Sequence, residues 1–259
     1  MKGDFAFPCT YGYSLAGEII SGPAEHKGKK VHLMHPHQNY AVARINDLFF
    51  VPEEIPLTSA VLASNMETAL TAVWDSRVSI GDNVLIAGFG IIGALLARLL
   101  DIYPNVQLTI VEKNENRYHK AGELGFNAVK NGNELNSNYD ISFNCSCSQD
   151  GLQLCIDKLA FEGKVMELSW YGKQQVSLHL GQDFHIKRKQ IISSQVSSIP
   201  GSKMNRWDHL RRKKLVFDIL KDPYYKKIIT EEVLFEETPS VFKRIRNDEI
   251  DSLGIIIKY

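Results

Sequence analysis

Asn83-Val84-Leu85-Ile86-Ala87-Gly88-Phe89-Gly90-Ile91-Ile92-Gly93 is an apolar strand running into Gly-x-Gly-x-x-Gly, and Ala94-Leu95-Leu96-Ala97-Arg98-Leu99-Leu100 continues it as a helix. A second apolar run, Gln107 to Val111, follows and is closed by Glu112. A glycine triplet alone says little, but strand, helix, second strand and terminal acid together predict a dinucleotide-binding unit. Gly88 permits the tight turn, Gly90 lets backbone approach a pyrophosphate, and Gly93 lets the helix pack closely on the sheet. Phe89, Ile91 and Ile92 complete the turn, whose unpaired N–H groups and positive helix end favour an anion. Glu112 is placed to accept hydrogen bonds from ribose hydroxyls and to repel a 2′-phosphate, which favours NAD(H) over NADP(H). Lys113 and Arg117 are near enough in sequence to hold that phosphate instead, so NADP stays the second choice.

Outward from this stretch, strands and helices alternate. Asn83–Ala87, a helix from Ile91, Gln107–Val111, a helix from Glu115 and a short strand over Phe126–Val129 come first. Asp140–Asn144, a helix from Gly151, Lys164–Ser169 and Gln190–Gln195 follow, which predicts a doubly wound parallel α/β sheet. Ser146 and Ser169 stand just past two of these strands, where ligands of such sheets bind. Residues 1–66 read as short strands and turns, and Met66–Trp74 as a helix leading into the nucleotide unit. Arg206–Leu220 has the spacing of an amphipathic helix with Trp207, Leu210 and Phe217 on its apolar side, and Val233–Phe235 and Ile255–Lys258 return to strand patterns. The expected division is 1–66, a partial β-rich catalytic domain; 67–222, the dinucleotide domain; and 223–259, a return to the first.

The chain has 259 residues, with 30 Lys plus Arg against 30 Asp plus Glu, so no net field points to nucleic acid or an acidic partner. The basic run Arg211-Arg212-Lys213-Lys214 reads as the solvated face of a helix. No stretch has the length of a membrane span and no apolar signal core opens the chain, so the expected location is cytoplasmic. Cys9, Cys145, Cys147 and Cys155 form no Cys-x-x-Cys pair, which argues against a zinc ribbon or a thioredoxin-like motif.

The whole chain resembles the medium-chain dehydrogenases/reductases, the superfamily of zinc alcohol dehydrogenases and quinone oxidoreductases. Tyr11-Gly12-Tyr13-Ser14-Leu15-Ala16-Gly17-Glu18 stands in place of that family's Gly-His-Glu element, and Gly28-Lys29-Lys30-Val31 resembles its Gly-Asp-Arg-Val turn. Glu67-Thr68-Ala69-Leu70-Thr71-Ala72 resembles the helix beside the nicotinamide, and Ser79 through Gly93 the entry to the nucleotide domain. Glu167-Leu168-Ser169-Trp170-Tyr171-Gly172, Ser193–Val196 and Arg206-Trp207-Asp208-His209 resemble a bacterial zinc-type alcohol dehydrogenase-like subgroup. The resemblance implies a GroES-like catalytic domain, Thr68 beside the nicotinamide, Glu67 as an acid near the metal position, and a homodimer through the edge strand near Ser193–Ser197.

Two departures change the expected chemistry. Tyr13 occupies the position of the family's metal-ligand histidine, Ser14 follows it, and Val42–Glu54 holds no cysteine, so no zinc of either kind is expected. The chain also begins close to the Gly-His-Glu equivalent, so the GroES-like part is expected to be partial, with strand edges open to another copy. Without a metal, a hydrogen-bond donor must serve the substrate oxygen. Tyr13 is the first candidate, balanced by its reading as a packed tyrosine; Ser14 is weaker. His37, in His35-Pro36-His37-Gln38, is a candidate proton relay, and a surface turn explains it equally well. Trp170 and Tyr171 either wall a substrate pocket or simply pack. The expected activity is a zinc-independent, NAD(H)-dependent oxidation or reduction of a small alcohol or carbonyl compound. Its alternatives are a quinone or enone reductase and a noncatalytic nucleotide-binding subunit.

Overall fold

A computed structural model describes residues 10–181, 183–247 and 249–259, so Cys9 and the start of the first expected domain lie outside the described residues. Leu15–Glu18 (β1), Lys30–Leu33 (β2) and Phe49–Phe50 (β3) form a small antiparallel sheet in the order β1-β2-β3. A single turn, Leu57–Ala60 (α1), leads into Ala63–Ser76 (α2). Helix α2 is buried on nearly every side because its Ala, Met and Leu positions pack against helices to either side. It stops at Arg77, whose φ of 53° is left-handed.

The nucleotide sheet follows as Asn83–Ala87 (β4), Ile91–Asp101 (α3), Gln107–Val111 (β5), Glu115–Glu123 (α4) and Ala128–Val129 (β6). Its second half is Tyr139–Asn144 (β7), Gln149–Lys158 (α5), Leu159–Glu167 (β8), Asp183–Ile186 (α6) and Gln190–Ser193 (β9). All six strands are parallel, in the order β6-β5-β4-β7-β8-β9. The chain order reverses at β4, so the crevice beyond the carboxyl end of β4 is the ligand position of this topology. Val84, Ile86, Phe143 and Met166 on one face join α2 and α3 in the principal core.

His209–Leu220 (α7), Ile229–Leu234 (β10), Thr238–Arg246 (α8) and Gly254–Lys258 (β11) complete the chain, with β10 and β11 paired in parallel. Helix α7 starts three residues later than the apolar spacing predicts, because the Asp208 carboxylate accepts the Arg211 N–H at 2.7 Å and caps it. Trp207 therefore lies in the preceding turn, where its ring packs 4.9 Å from that of Trp74, with Lys203 and Arg211 over the two indoles. Leu210, expected on the apolar side, is exposed. The basic run is likewise not a solvated face: Arg212 and Lys213 are 4% and 2% exposed. Both turn inward to Glu67 of α2, Arg212 Nε at 3.2 Å and Lys213 Nζ at 2.5 Å. Strand β8 begins at Leu159, ahead of the expected Lys164.

Candidate dinucleotide and substrate site

The three glycines of the turn meet different surroundings. Gly88 has φ +96°, and a Cβ there would lie 2.9 Å from backbone of Cys145 and Ser146, so the loop after β7 packs directly on it. A Cβ on Gly93 would lie 2.1 Å from the Gly88 carbonyl oxygen, which holds the start of α3 against the sheet. A Cβ on Gly90 would meet nothing within 4 Å. Gly90 also precedes α3 with no side-chain cap and no acidic residue in the first turn, leaving its N–H donors to an anion. The turn therefore fits a dinucleotide pyrophosphate.

Glu112 is buried at the end of β5 and turned into this turn. Its Oε2 accepts the Phe89 N–H at 2.6 Å and its Oε1 the Asn114 N–H at 2.8 Å, so two backbone amides fix the carboxylate against the turn. The two cations beside it in sequence have partners of their own in this structure. Lys113 Nζ lies 3.7 Å from Asp150, and Arg117 Nη2 donates to the Ile250 carbonyl at 2.9 Å.

Past β7 and β8, a polar network orders the rim. The Asn144 amide donates to Glu167 at 2.9 Å and to Tyr171 Oη at 2.9 Å, while its oxygen accepts from Ser146 Oγ at 2.7 Å. Glu167 accepts the Ser169 N–H at 2.7 Å, and Ser169 Oγ accepts the Cys147 N–H at 3.0 Å. Burial and the neighbouring Glu167 push the Tyr171 phenol up to about 12, so it stays protonated. Ser146 and Ser169 thus stand at the crevice with their side chains engaged in holding its shape. Asn144 is marked in the sequence only by its place at a strand end, and Glu167 only as the first residue of the Glu167–Gly172 segment, with nothing to show that the two meet.

Tyr13 and His37 line a cavity of about 1070 Å³ that also touches Ser14, Asn65, Ile91 at the glycine turn, and Tyr259. Burial raises the Tyr13 phenol, with Tyr11 adding to it, so Tyr13 is a protonated donor. His37 Nδ1 is 2.9 Å from Tyr259 Oη, and burial lowers its basicity. Behind Tyr13, Ser14 Oγ donates to Val61 O at 2.6 Å and Ser64 Oγ to Tyr13 O at 3.1 Å. Both hydroxyl protons are committed, so the network assigns the ring proton of His32 to Nε2, which is 3.0 Å from Ser14 Oγ. His32 is fully buried and its pKa falls to about 3, through burial first and Lys213 second. Thr68 is half-buried on α2, with its hydroxyl 3.4 Å from Ser64 O, and is not among the residues lining the cavity. Among the described residues no three His, Cys, Asp or Glu side chains are grouped as metal ligands, and no helix is long and apolar enough to cross a membrane.

Strand order, glycine turn and terminal acid define a Rossmann-type dinucleotide-binding fold joined to small β-sheets. The resemblance to the zinc-type alcohol dehydrogenase-like proteins of the medium-chain dehydrogenase/reductase superfamily is found again in relatives and in solved structures, at low identity. No family model matches. The D-guloside 3-dehydrogenase of Escherichia coli K12 is 21% identical over 205 residues, 74% of this chain and 59% of that protein. The uncharacterized zinc-type alcohol dehydrogenase-like protein YphC of the same organism is 26% identical over 175 residues, 63% of this chain and 49% of that protein. The chain therefore spans less than two thirds of the length of the curated relatives it matches. A proposed zinc-binding dehydrogenase (gutB) of Clostridium scindens superposes with a TM-score of 0.80 at 19% identity, covering 98% of this chain and 81% of that one. A short chain alcohol dehydrogenase (rspB) of Escherichia coli CFT073, complexed with NADH, gives 0.73 at 15% identity, covering 91% and 78%. A proposed zinc-binding dehydrogenase of Sinorhizobium meliloti, bound to NADP, gives 0.77 at 14% identity, covering 98% and 84%.

Proposed function

We propose that this chain is a zinc-independent, NAD(H)-dependent oxidoreductase acting on a small alcohol or carbonyl compound. The observation that carries the reading is the open approach at Gly90, with Glu112 anchored to the same turn, beside a cavity that holds a protonated tyrosine. A nicotinamide dinucleotide bound there supplies or accepts the hydride. The residues of the chain do the rest. Amides at the start of α3 hold the diphosphate, and Glu112 selects a ribose without a 2′-phosphate. Tyr13 donates its phenolic proton to the oxygen of a carbonyl being reduced, and His37, with Tyr259, offers a path for its return. What supports zinc independence is the donor set: Tyr13 and Ser14 replace stronger ligands, and Ser14 is committed to Val61 and His32. Pairing of two copies through β9 belongs to the same proposal, supported by the place of β9 at the sheet edge, and sedimentation at a single-copy mass would remove it.

Calorimetric titration of NADH, then turnover of a panel of aldehydes and ketones, tests the reading. Tyr13→Phe is expected to leave NADH affinity within about twofold and to lower kcat by about 100-fold or more. An unchanged kcat would remove Tyr13 from the chemistry, and no heat with either nucleotide would end the cofactor assignment.

A further inference from the structure

The segment joining α8 to β11 leaves the small sheets and lands on the first turn of α4. There the Asp251 carboxylate accepts from two asparagine side chains, Oδ1 from Asn114 at 2.8 Å and Oδ2 from Asn116 at 2.7 Å. The preceding Ile250 carbonyl takes the Arg117 guanidinium, whose Nε is buried with no hydrogen-bond partner. Asn114 is the centre of the arrangement. Its Oδ1 caps α4 by accepting the Arg117 N–H at 2.9 Å, and its own N–H goes to Glu112. One residue thus stands between two carboxylates, the expected ribose acid and an acid from the far end of the chain.

A helix N-terminus with an amide side chain and a guanidinium beside it is a receptor for an anion. At the end of the second strand of this topology, that anion is the 2′-phosphate of NADP. Here the receptor already holds a carboxylate of the chain itself. We propose that Asp251 is a second specificity-determining residue for the cofactor: it occupies the anion position at α4 and, with Glu112, bars a 2′-phosphate. The inference rests on the cofactor reading above and deepens it. A phosphate entering this corner brings a charge of about −2 next to two carboxylates. It must also displace Asp251 from Asn114 and Asn116 and strip Ile250 from Arg117 before the asparagines or the guanidinium can hold it. A ribose bearing free hydroxyls requires none of this. The asparagine hydrogen bonds hold the Asp251 carboxyl below its ordinary range, so the charge persists at neutral pH.

The test is fluorescence titration of NADH and of NADPH with the full chain, its Asp251→Ala and Asp251→Asn variants, and Glu112→Ala for comparison. Removing the Asp251 charge is expected to tighten NADPH by about tenfold, equivalent to about 1.4 kcal/mol, while NADH stays within about threefold. Asp251→Asn keeps an oxygen for Asn114 and serves if the alanine variant unfolds. An NADH/NADPH ratio unmoved in folded variants would overturn the role of Asp251, and so would equal loss of both nucleotides, which marks a purely structural tether. In those cases wild-type binding of NADH leaves the cofactor reading standing. Failure of the wild type to bind either nucleotide defeats both.

Discussion

At the scale of single residues, the three glycines of the turn separate folding from binding. Gly93→Ala forces a methyl group onto the Gly88 carbonyl oxygen, and the helix must shift to admit it. It is expected to cost about 1–3 kcal/mol, read as a lowered midpoint in thermal unfolding. Gly90→Ala points its methyl into open space at an ordinary φ of −81°, so it is expected to melt with the wild type yet bind NADH at least about tenfold more weakly. Equal melting of all three proteins, or full NADH affinity in Gly90→Ala, would refute this division of roles. The residue types at the turn are legible in the sequence because steric demands there are local. The direction of the Glu112 carboxylate is not, since it depends on the Phe89 and Asn114 amides converging on it in space. Arg117 shows the same limit: its nearness to Glu112 in sequence says nothing of Ile250, which reaches it from 133 residues away.

At the scale of elements, the contact between α2 and α7 is ionic at its centre. Glu67 neutralises part of the charge of Arg212 and Lys213, and Arg212 also reaches Thr71 Oγ1 at 3.1 Å and Val196 O at 2.8 Å. Glu67→Gln leaves two buried cations without their counter-ion and is expected to cost about 3–5 kcal/mol in denaturant unfolding. A loss below about 1 kcal/mol would show that water reaches the triad. Helix period and apolar content disclosed both helices, but the burial of Arg212 and Lys213 was hidden. Four consecutive basic residues occupy all sides of a helix, so composition cannot say which two turn inward. Only the position of Glu67 on the facing helix decides it. The strand pattern is plain at β4 and β5, where largely apolar runs match a sheet covered on both faces. The start of β8 was obscure because Phe161-Glu162-Gly163 interrupts the run.

At the scale of the whole molecule, burial of His32 links stability to acidity. In the native state its pKa is about 3, whereas in the unfolded chain it returns to its ordinary 6.5. The unfolded state therefore takes a proton that the native state refuses. This contribution to stability is complete above pH 6.5 and declines by about 1.4 kcal/mol per pH unit as pH falls toward 3. Urea unfolding from pH 7 to pH 4.5 is expected to show that acid limb in the wild type and a shallower one in His32→Gln. Equal slopes would show that His32 is protonated in the folded chain. Its Nε2 lies 3.0 Å from Ser14 Oγ and 3.4 Å from Ser64 Oγ of α2, and Ser64 Oγ in turn holds the Tyr13 carbonyl, so the acid limit of the fold bears directly on the segment that carries Tyr13. The tilted indole pair of Trp74 and Trp207 has a separate consequence. Rings 4.9 Å apart and inclined by 53° share their electronic transitions, and light absorbed by one is not confined to it. With Trp170 standing 72% exposed as the remaining indole, the seam between α2 and the approach to α7 carries its own chromophore, whose exciton signature vanishes when that seam parts.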